Sequence, residues 1–307
     1  MAASSLCLQR FFHGGGLGPR GTTNEALCAL VRRQSSSSSL HYCRKRLAAC
    51  ASAAAKHRIY LRSPDVVASE YADLNLPHQV SEELGHIRIR QHVNPLSACF
   101  SMPVEVPDWN EVFRDPTLPL MVDIGSGSGR FLIWLAKRHP EVRNYLGLEI
   151  RQKLVNRADL WVKDLALYNV HFLFANAMVS FNQLVSTYPG PLMLVSILCP
   201  DPHFKKRHHK RRVVQKPLVD SIIHNLMPGG QIFIQSDVLE VALDMRYQFD
   251  AKGDVLHHMD ALDQSVLCDQ EGWLLSNPMG IRTEREIHAE FEGARIYRRM
   301  YQKRIYN

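Results

Sequence analysis

Leu120-Met121-Val122-Asp123-Ile124-Gly125-Ser126-Gly127-Ser128-Gly129-Arg130 is a strand-length apolar run that ends in glycines at alternate positions. Glycines spaced this way let a backbone turn sharply and approach a ligand with no Cβ in between. A dinucleotide-binding fold spaces its glycines as G-x-G-x-x-G. Here the third glycine comes one residue early, and Arg130 stands where that pattern requires glycine. Asp123, just ahead of the loop, would repel a pyrophosphate and attract an ammonium group. The competing reading is a glycine-rich βα turn with no ligand, since glycine is common turn punctuation.

Outward from this stretch, strand-sized apolar runs alternate with helical ones. Strands are predicted at Leu120–Ile124, Asn144–Ile150, Val170–Phe174, Leu192–Leu198 and Gln231–Gln235. Helices are predicted at Phe131–Arg138, Gln152–Asn169, Val179–Val185 and Arg211–Asn225, with a turn at Pro228-Gly229-Gly230. This alternation specifies an α/β fold, a doubly wound, mainly parallel sheet. Ligands in such sheets bind at the carboxyl ends of the strands, where strand order reverses. Glu149, after the second strand, is placed to accept hydrogen bonds from ribose hydroxyls, which fits any adenosine ligand; a solvent-exposed strand-end Glu is the plainer alternative. Asn176-Ala177, after the third, could complete an adenine pocket.

The segment after the fourth strand is the most informative. Cys199-Pro200-Asp201-Pro202-His203-Phe204 clamps an acid between two prolines, in a stiff non-helical backbone. Lys205, Lys206, Arg207, Lys210, Arg211 and Arg212 follow at once. In a tail such a run would read as a solvated face or a nuclear-localisation patch. Opening a helix beside a rigid acid at a ligand edge, it reads as a phosphate-binding element, which orients nucleic acid without reading sequence. A second basic group, Arg295, Arg298, Arg299, Lys303 and Arg304, fits either a flank of the same cleft or an amphipathic last element that closes the sheet.

The chain has 307 residues, 46% apolar and 22% charged, with a formal charge of +7. That supports one large domain with an appendage and rules out collagen-like, wholly disordered and disulfide-scaffold classes. No apolar run reaches the ~18–20 residues needed to span a bilayer, so no membrane partner is expected. Residues 1–55 hold ten Ala, eight Ser, seven Lys/Arg and one acid, Glu25, and so carry +6 of the charge. Ser/Ala/Arg-rich and acid-poor is the transit-peptide pattern, and abundant Ser favours chloroplast over mitochondrion; a low-complexity tail is the alternative. The expected organisation is a leader at 1–55, an extension or arm at 56–118 and a catalytic domain at 119–307. Cys99, Cys199 and Cys268 of the body form no CxxC, and His208-His209 and His257-His258 are adjacent pairs, so no metal site is expected.

The glycine loop, the Pro-Asp-Pro basic segment, Ser236-Asp237 and a late Thr283-Glu284-Arg285-Glu286 together resemble the TrmB-type tRNA (guanine-N7)-methyltransferases, over roughly residues 86 to 305. The strings around Arg88, Arg90 and His92, and Gln235 to Val241, look most like cyanobacterial members. The resemblance implies a class I S-adenosylmethionine methyltransferase fold and methylation of guanine-46 in the tRNA variable loop. It implies that Asp123, Gly125, Gly127, Glu149, Asn176 and Ala177 hold S-adenosylmethionine, and that Asp201 is the catalytic aspartate. It places Lys205, Asp237, Thr283, Glu284, Arg285 and Glu286 on the substrate. Asn176 replaces a common Asp, Phe204 a polar residue, and Arg285 an aromatic. The bacterial-like body implies no obligatory protein partner. Other readings are an NAD-dependent oxidoreductase, which the early third glycine and Asp123 disfavour, a non-catalytic RNA-binding module, and an N7-methyltransferase acting on another RNA.

Overall fold

A computed structural model describes residues 62–76 and 93–305. The expected leader and the Arg88, Arg90 and His92 string lie outside the described residues. Helix α1 spans Ser63–Glu70 and the short α2 spans Trp109–Val112. There follow β1 (Leu120–Ile124), α3 (Arg130–Arg138), β2 (Asn144–Glu149), α4 (Gln152–Asp164), β3 (Val170–Phe174), α5 (Ala177–Ser186) and β4 (Leu192–Leu198). A 3-10 helix (Lys206–Arg211) leads to α6 (Lys216–Asn225), β5 (Leu226–Ser236) and α7 (Leu239–Asp250). Last come β6 (Leu256–His258), α8 (Met259–Leu262), α9 (Glu284–Phe291) and β7 (Tyr297–Lys303).

The strands form one sheet in the order β3-β2-β1-β4-β5-β7-β6. β1 to β5 are parallel, and β7 inserts antiparallel between β5 and β6. The central strands are buried on both faces, which is why β1 and β4 read as almost unbroken apolar runs. Leu120, Val122 and Ile124 pack with Phe181 and Leu184 of α5 and Leu218 and Ile222 of α6. Met121, on the other face, packs with Leu132 and Leu135 of α3 and Val155 and Trp161 of α4. The chain runs outward from β1 to β2 and β3, then crosses to β4 on its other side. This reversal opens a crevice at the carboxyl ends of β1 and β4.

Gly129 makes the entry to α3 possible. It caps the helix at φ +85°, and a Cβ there would lie 2.8 Å from the Ala158 side chain and 2.9 Å from the Phe172 ring. Both the turn and the close approach therefore demand glycine.

Three expectations are corrected. The helix expected over Gln152–Asn169 stops at Asp164 because Ala166 turns left-handed (φ 49°). Ala166 N–H then bonds the Lys163 carbonyl and Leu167 N–H the Val162 carbonyl, a Schellman closure. The helix expected from Arg211 starts only at Lys216, with Pro217 in its first turn; the basic string forms the separate 3-10 helix instead. Pro228-Gly229-Gly230 is not a free turn, since β5 already pairs through Leu226 with Leu192, and the irregularity survives as a register shift. Of the expected extension or arm at 56–118, the described residues pack onto the sheet. Val67, Tyr71 and Leu74 enter one core, and Trp109 and Phe113 enter the other.

Candidate active site

A cavity of about 490 Å³ opens at the carboxyl ends of the first five strands. Gly125 forms its floor, Glu149 and Arg151 one wall, Asn176 and Ala177 a second, and the Cys199–Phe204 loop a third, with Asp237 and Arg285 at the far side. A Cβ on Gly125 would meet nothing within 4 Å, so the glycine loop faces open space with its backbone bare. That is a cradle for a ligand.

Glu149 ends β2 with its carboxylate almost wholly buried. Oε2 accepts from Gly127 N–H (2.9 Å) and Arg151 Nη2 (2.9 Å); Oε1 accepts from Arg151 N–H (3.0 Å) and Arg151 Nε (2.8 Å). A carboxylate has about four lone-pair sites, and all are taken. Arg151 holds half of them through a guanidinium that also lines the cavity and lies in the field of Asp201.

Asn176 caps α5 by accepting from Met178 N–H at 3.1 Å. Its amide group donates to the Pro95 carbonyl (3.0 Å) and the Phe100 carbonyl (3.1 Å). Both N–H bonds are thus used to tie residues 95–100 over the cavity, work an Asp could not do. One lone pair of Oδ1 is left for a ligand amino group.

The Asp201 loop is strained at both ends. Cys199 (φ 49°) and His203 (φ 43°) lie in the left-handed region, a cost of ~1–3 kcal/mol each for a non-glycine residue. The loop is held from both sides. Cys199 N–H bonds the Gln235 carbonyl at 2.7 Å, and Arg212 Nε donates to the Pro202 carbonyl at 3.0 Å. Arg212 is itself fixed by Glu240 (2.7 Å) and Asp244 (3.2 Å) of α7. Asp201 Oδ1 accepts from His203 N–H at 3.3 Å. Burial, aided by the Asp237 charge, pushes the Cys199 thiol up to about 12, so it is no nucleophile at neutral pH. Across the cavity Arg285 donates to Asp237 through Nε at 3.1 Å, and this pairing raises the Arg285 pKa further.

A family model described as a putative methyltransferase matches residues 117–299. A tRNA (guanine-N(7)-)-methyltransferase of Synechococcus sp. (strain JA-2-3B'a(2-13)) is 48% identical over 221 residues, 72% of this chain and 86% of that protein. One from Synechocystis sp. (strain ATCC 27184 / PCC 6803 / Kazusa) is 43% identical over 220 residues, 72% of this chain and 99% of that protein. The chain belongs to the tRNA (guanine-N7)-methyltransferase family. Its sheet is accordingly the class I S-adenosylmethionine methyltransferase fold, with β7 as the antiparallel strand.

Within this methyltransferase the expected site residues divide. Gly125, Glu149, Asn176, Ala177, Asp201, Asp237 and Arg285 meet at the cavity. Asp123 does not line it. Asp123 sits one residue inside β1, between Gly147 and Ser196, and accepts from Ser196 Oγ at 2.6 Å. Burial there, with Glu149 adding to it against the Ser196 bond, raises its pKa to about 7. Gly127 contributes through its N–H on Glu149 and also lies off the cavity wall.

The Thr283–Glu286 string is mostly structural. Thr283 and Glu286 form a capping box that starts α9. Glu286 is fully buried, accepting from Arg298, Gln235 (3.0 Å) and Asn277 (3.1 Å). Glu284 turns to the glycine loop, where it accepts from Ser128 Oγ at 2.9 Å and pairs with Arg130. Only Arg285 of the four reaches the cavity. Lys205 is exposed beyond its rim.

The two basic groups also part company. Lys205, Lys206, Arg207 and Lys210 are exposed, whereas Arg212 is buried beneath the loop. The carboxyl-terminal group closes the sheet instead of flanking the cleft. Arg298 and Arg299 are buried in β7, Lys303 caps α6 on the carbonyls of Ile223 and Leu226 (both 2.7 Å), Arg304 bonds the Gly253 carbonyl, and Arg295 pairs with Asp269. Sequence reasoning missed Arg151 and placed Arg212 among the phosphate-binding cations, whereas it is buried and pins the Asp201 loop. The Glu-x-Arg spacing after β2 was the available signal for the first; none marks the second.

Proposed function

We propose that this chain transfers a methyl group from S-adenosylmethionine to N7 of a guanine in tRNA, at guanine-46 of the variable loop. The observation that supports it most is the convergence of Glu149 and Asp201, at the strand switch point, on one cavity, with the exposed cations Lys205, Lys206 and Arg207 following its Phe204 directly in the chain. S-adenosylmethionine supplies an electrophilic methyl carbon on a sulfonium sulfur. Gly125 leaves room for it, Glu149 accepts from the ribose as the Arg151 guanidinium gives way, and Asn176 and Ala177 receive the adenine.

Guanine N7 carries an in-plane lone pair, so no proton need be removed first. The chain's tasks are alignment and stabilisation of the charge the base acquires. Asp201, fixed by its prolines and by His203 N–H, accepts from the guanine amino or imino edge. It orients the base and balances its growing positive charge without acting as a base. Lys206, Arg207 and Lys210 hold phosphates. Asp123 holds Ser196 within the sheet and stands back from the cavity that receives the cofactor.

The chain acts without an obligatory partner subunit, and residues 1–55 direct it to the plastid; a fluorescent fusion of that leader that stays in the cytosol would sink the address. The activity is tested with methyl-labelled S-adenosylmethionine and unmodified tRNA. Label in the RNA supports the reading. Label only in a different RNA, or binding of NADH in preference to S-adenosylhomocysteine, refutes it.

A further inference from the structure

Phe204 follows the strained loop that carries Asp201. The residue lines the cavity, yet it is 66% exposed. With other described residues its ring makes no aromatic or cation–π contact. The left-handed His203 just before it (φ 43°), and the Arg212 bond to the Pro202 carbonyl, fix where the chain presents it. His203 N–H bonds the Asp201 carboxylate, so the acid and the ring are displayed by one rigid turn. Immediately beyond, Lys205, Lys206 and Arg207 are exposed. An exposed aromatic residue lining a cavity, with exposed cations next to it in the chain, is the combination that receives an unstacked base.

We propose that Phe204 stacks on the guanine that is methylated and that its ring face stabilises the positive charge appearing on that base. The proposal rests on the function given above and deepens it. As the N7 lone pair forms the new bond to the methyl carbon, the carbon–sulfur bond breaks and its electron pair stays on sulfur. Sulfur becomes a neutral thioether, and the unit charge passes to the guanine ring with no proton moved. A π face over that ring is worth more to the cationic product side than to neutral guanine, and so acts on the chemical step. Asp201 addresses the edge of the base, and Phe204 its face.

The test uses the full chain, unmodified tRNA and single-turnover kinetics. Phe204→Ala is expected to slow methyl transfer by about tenfold or more (~1.4 kcal/mol per tenfold). Phe204→Leu, similar in apolar bulk but without a π face, is expected to be slow as well, and Phe204→Trp to be faster than the leucine variant. Phenylalanines carrying one, two and five fluorines at this position are expected to lower the rate stepwise as the ring loses electron density. Affinity for S-adenosylhomocysteine and the salt dependence of tRNA binding are expected to hold. A leucine variant as fast as wild type, or a flat fluorine series, overturns the proposal on an active enzyme. A wild-type chain that moves no methyl onto tRNA guanine removes the underlying function instead, and the proposal with it.

Discussion

The guanidinium of Arg151 lies across both carboxylate oxygens of Glu149, at 2.8 and 2.9 Å. With the two backbone N–H donors it saturates the group expected to bind the cofactor ribose. A ribose hydroxyl can donate there only if a donor leaves, and Arg151 is the one held by a side chain alone. Arg151→Met should therefore destabilise the cofactor-free protein, by up to ~3 kcal/mol for uncovering a buried charge. It should also enlarge the rise in melting temperature that S-adenosylhomocysteine produces. Thermal unfolding with and without that ligand checks it. A smaller ligand-induced rise than in wild type would show that Arg151 helps the cofactor bind.

Asp201 is expected to act on the methyl acceptor and not the donor. Asp201→Asn keeps an oxygen for His203 N–H, so the loop should hold its shape. Methyl transfer should fall by about 10²-fold, the scale of removing one electrostatic interaction from the transition state, with S-adenosylhomocysteine affinity nearly unchanged. Equal losses in both, by calorimetry and single-turnover assay, would place Asp201 in the cofactor site.

Exposed and buried cations have opposite signatures. Replacing Lys206, Arg207 and Lys210 by alanine should leave unfolding unchanged and flatten the salt dependence of tRNA binding, by about 0.7–0.9 in log slope for each phosphate no longer neutralised. Arg298→Ala removes the partner of buried Glu286 and should cost about 3–5 kcal/mol of stability. Chemical denaturation and tRNA binding at several salt concentrations separate them. A binding defect with full stability in Arg298→Ala would contradict its assignment.

Asp123 sets a pH dependence. Its folded pKa is raised to about 7, chiefly by burial, against 3.8 for the ordinary group. Between these values the folded chain binds the proton that the unfolded chain has released. Its contribution to stability is thus full below about pH 4 and is lost as pH rises through 7. Asp123→Asn should remove this slope, so that its stability relative to wild type improves from pH 5 to pH 8. Parallel denaturation curves at the two pH values, with an unchanged difference, would show that Asp123 is ionised throughout.

Strand positions were legible because each buried strand is a bounded apolar run. β1, β3 and β4 match their expected limits to the residue. The residues after them were legible because the switch-point rule says where to look, and seven of the thirteen expected site residues meet at the cavity. Charges were the hard part. A run of cations reads as solvent-facing, and nothing in Arg212 or Arg298 marks them as pins for Glu240 and Glu286, residues 28 and 12 positions away. Likewise Thr283 and Glu286 belong to a resemblance motif, yet a capping box explains their spacing as well as substrate contact does.

The most direct test maps the methylated atom. Full-length protein, labelled S-adenosylmethionine and unmodified plastid tRNA are incubated, and the RNA is cleaved with borohydride and aniline, which cut at N7-methylguanosine. The proposed function predicts label together with a single cut at guanine-46 in the variable loop. Label with no cut would contradict the guanine-N7 assignment while leaving a methyltransferase, and a cut at another guanine would contradict its place in the tRNA.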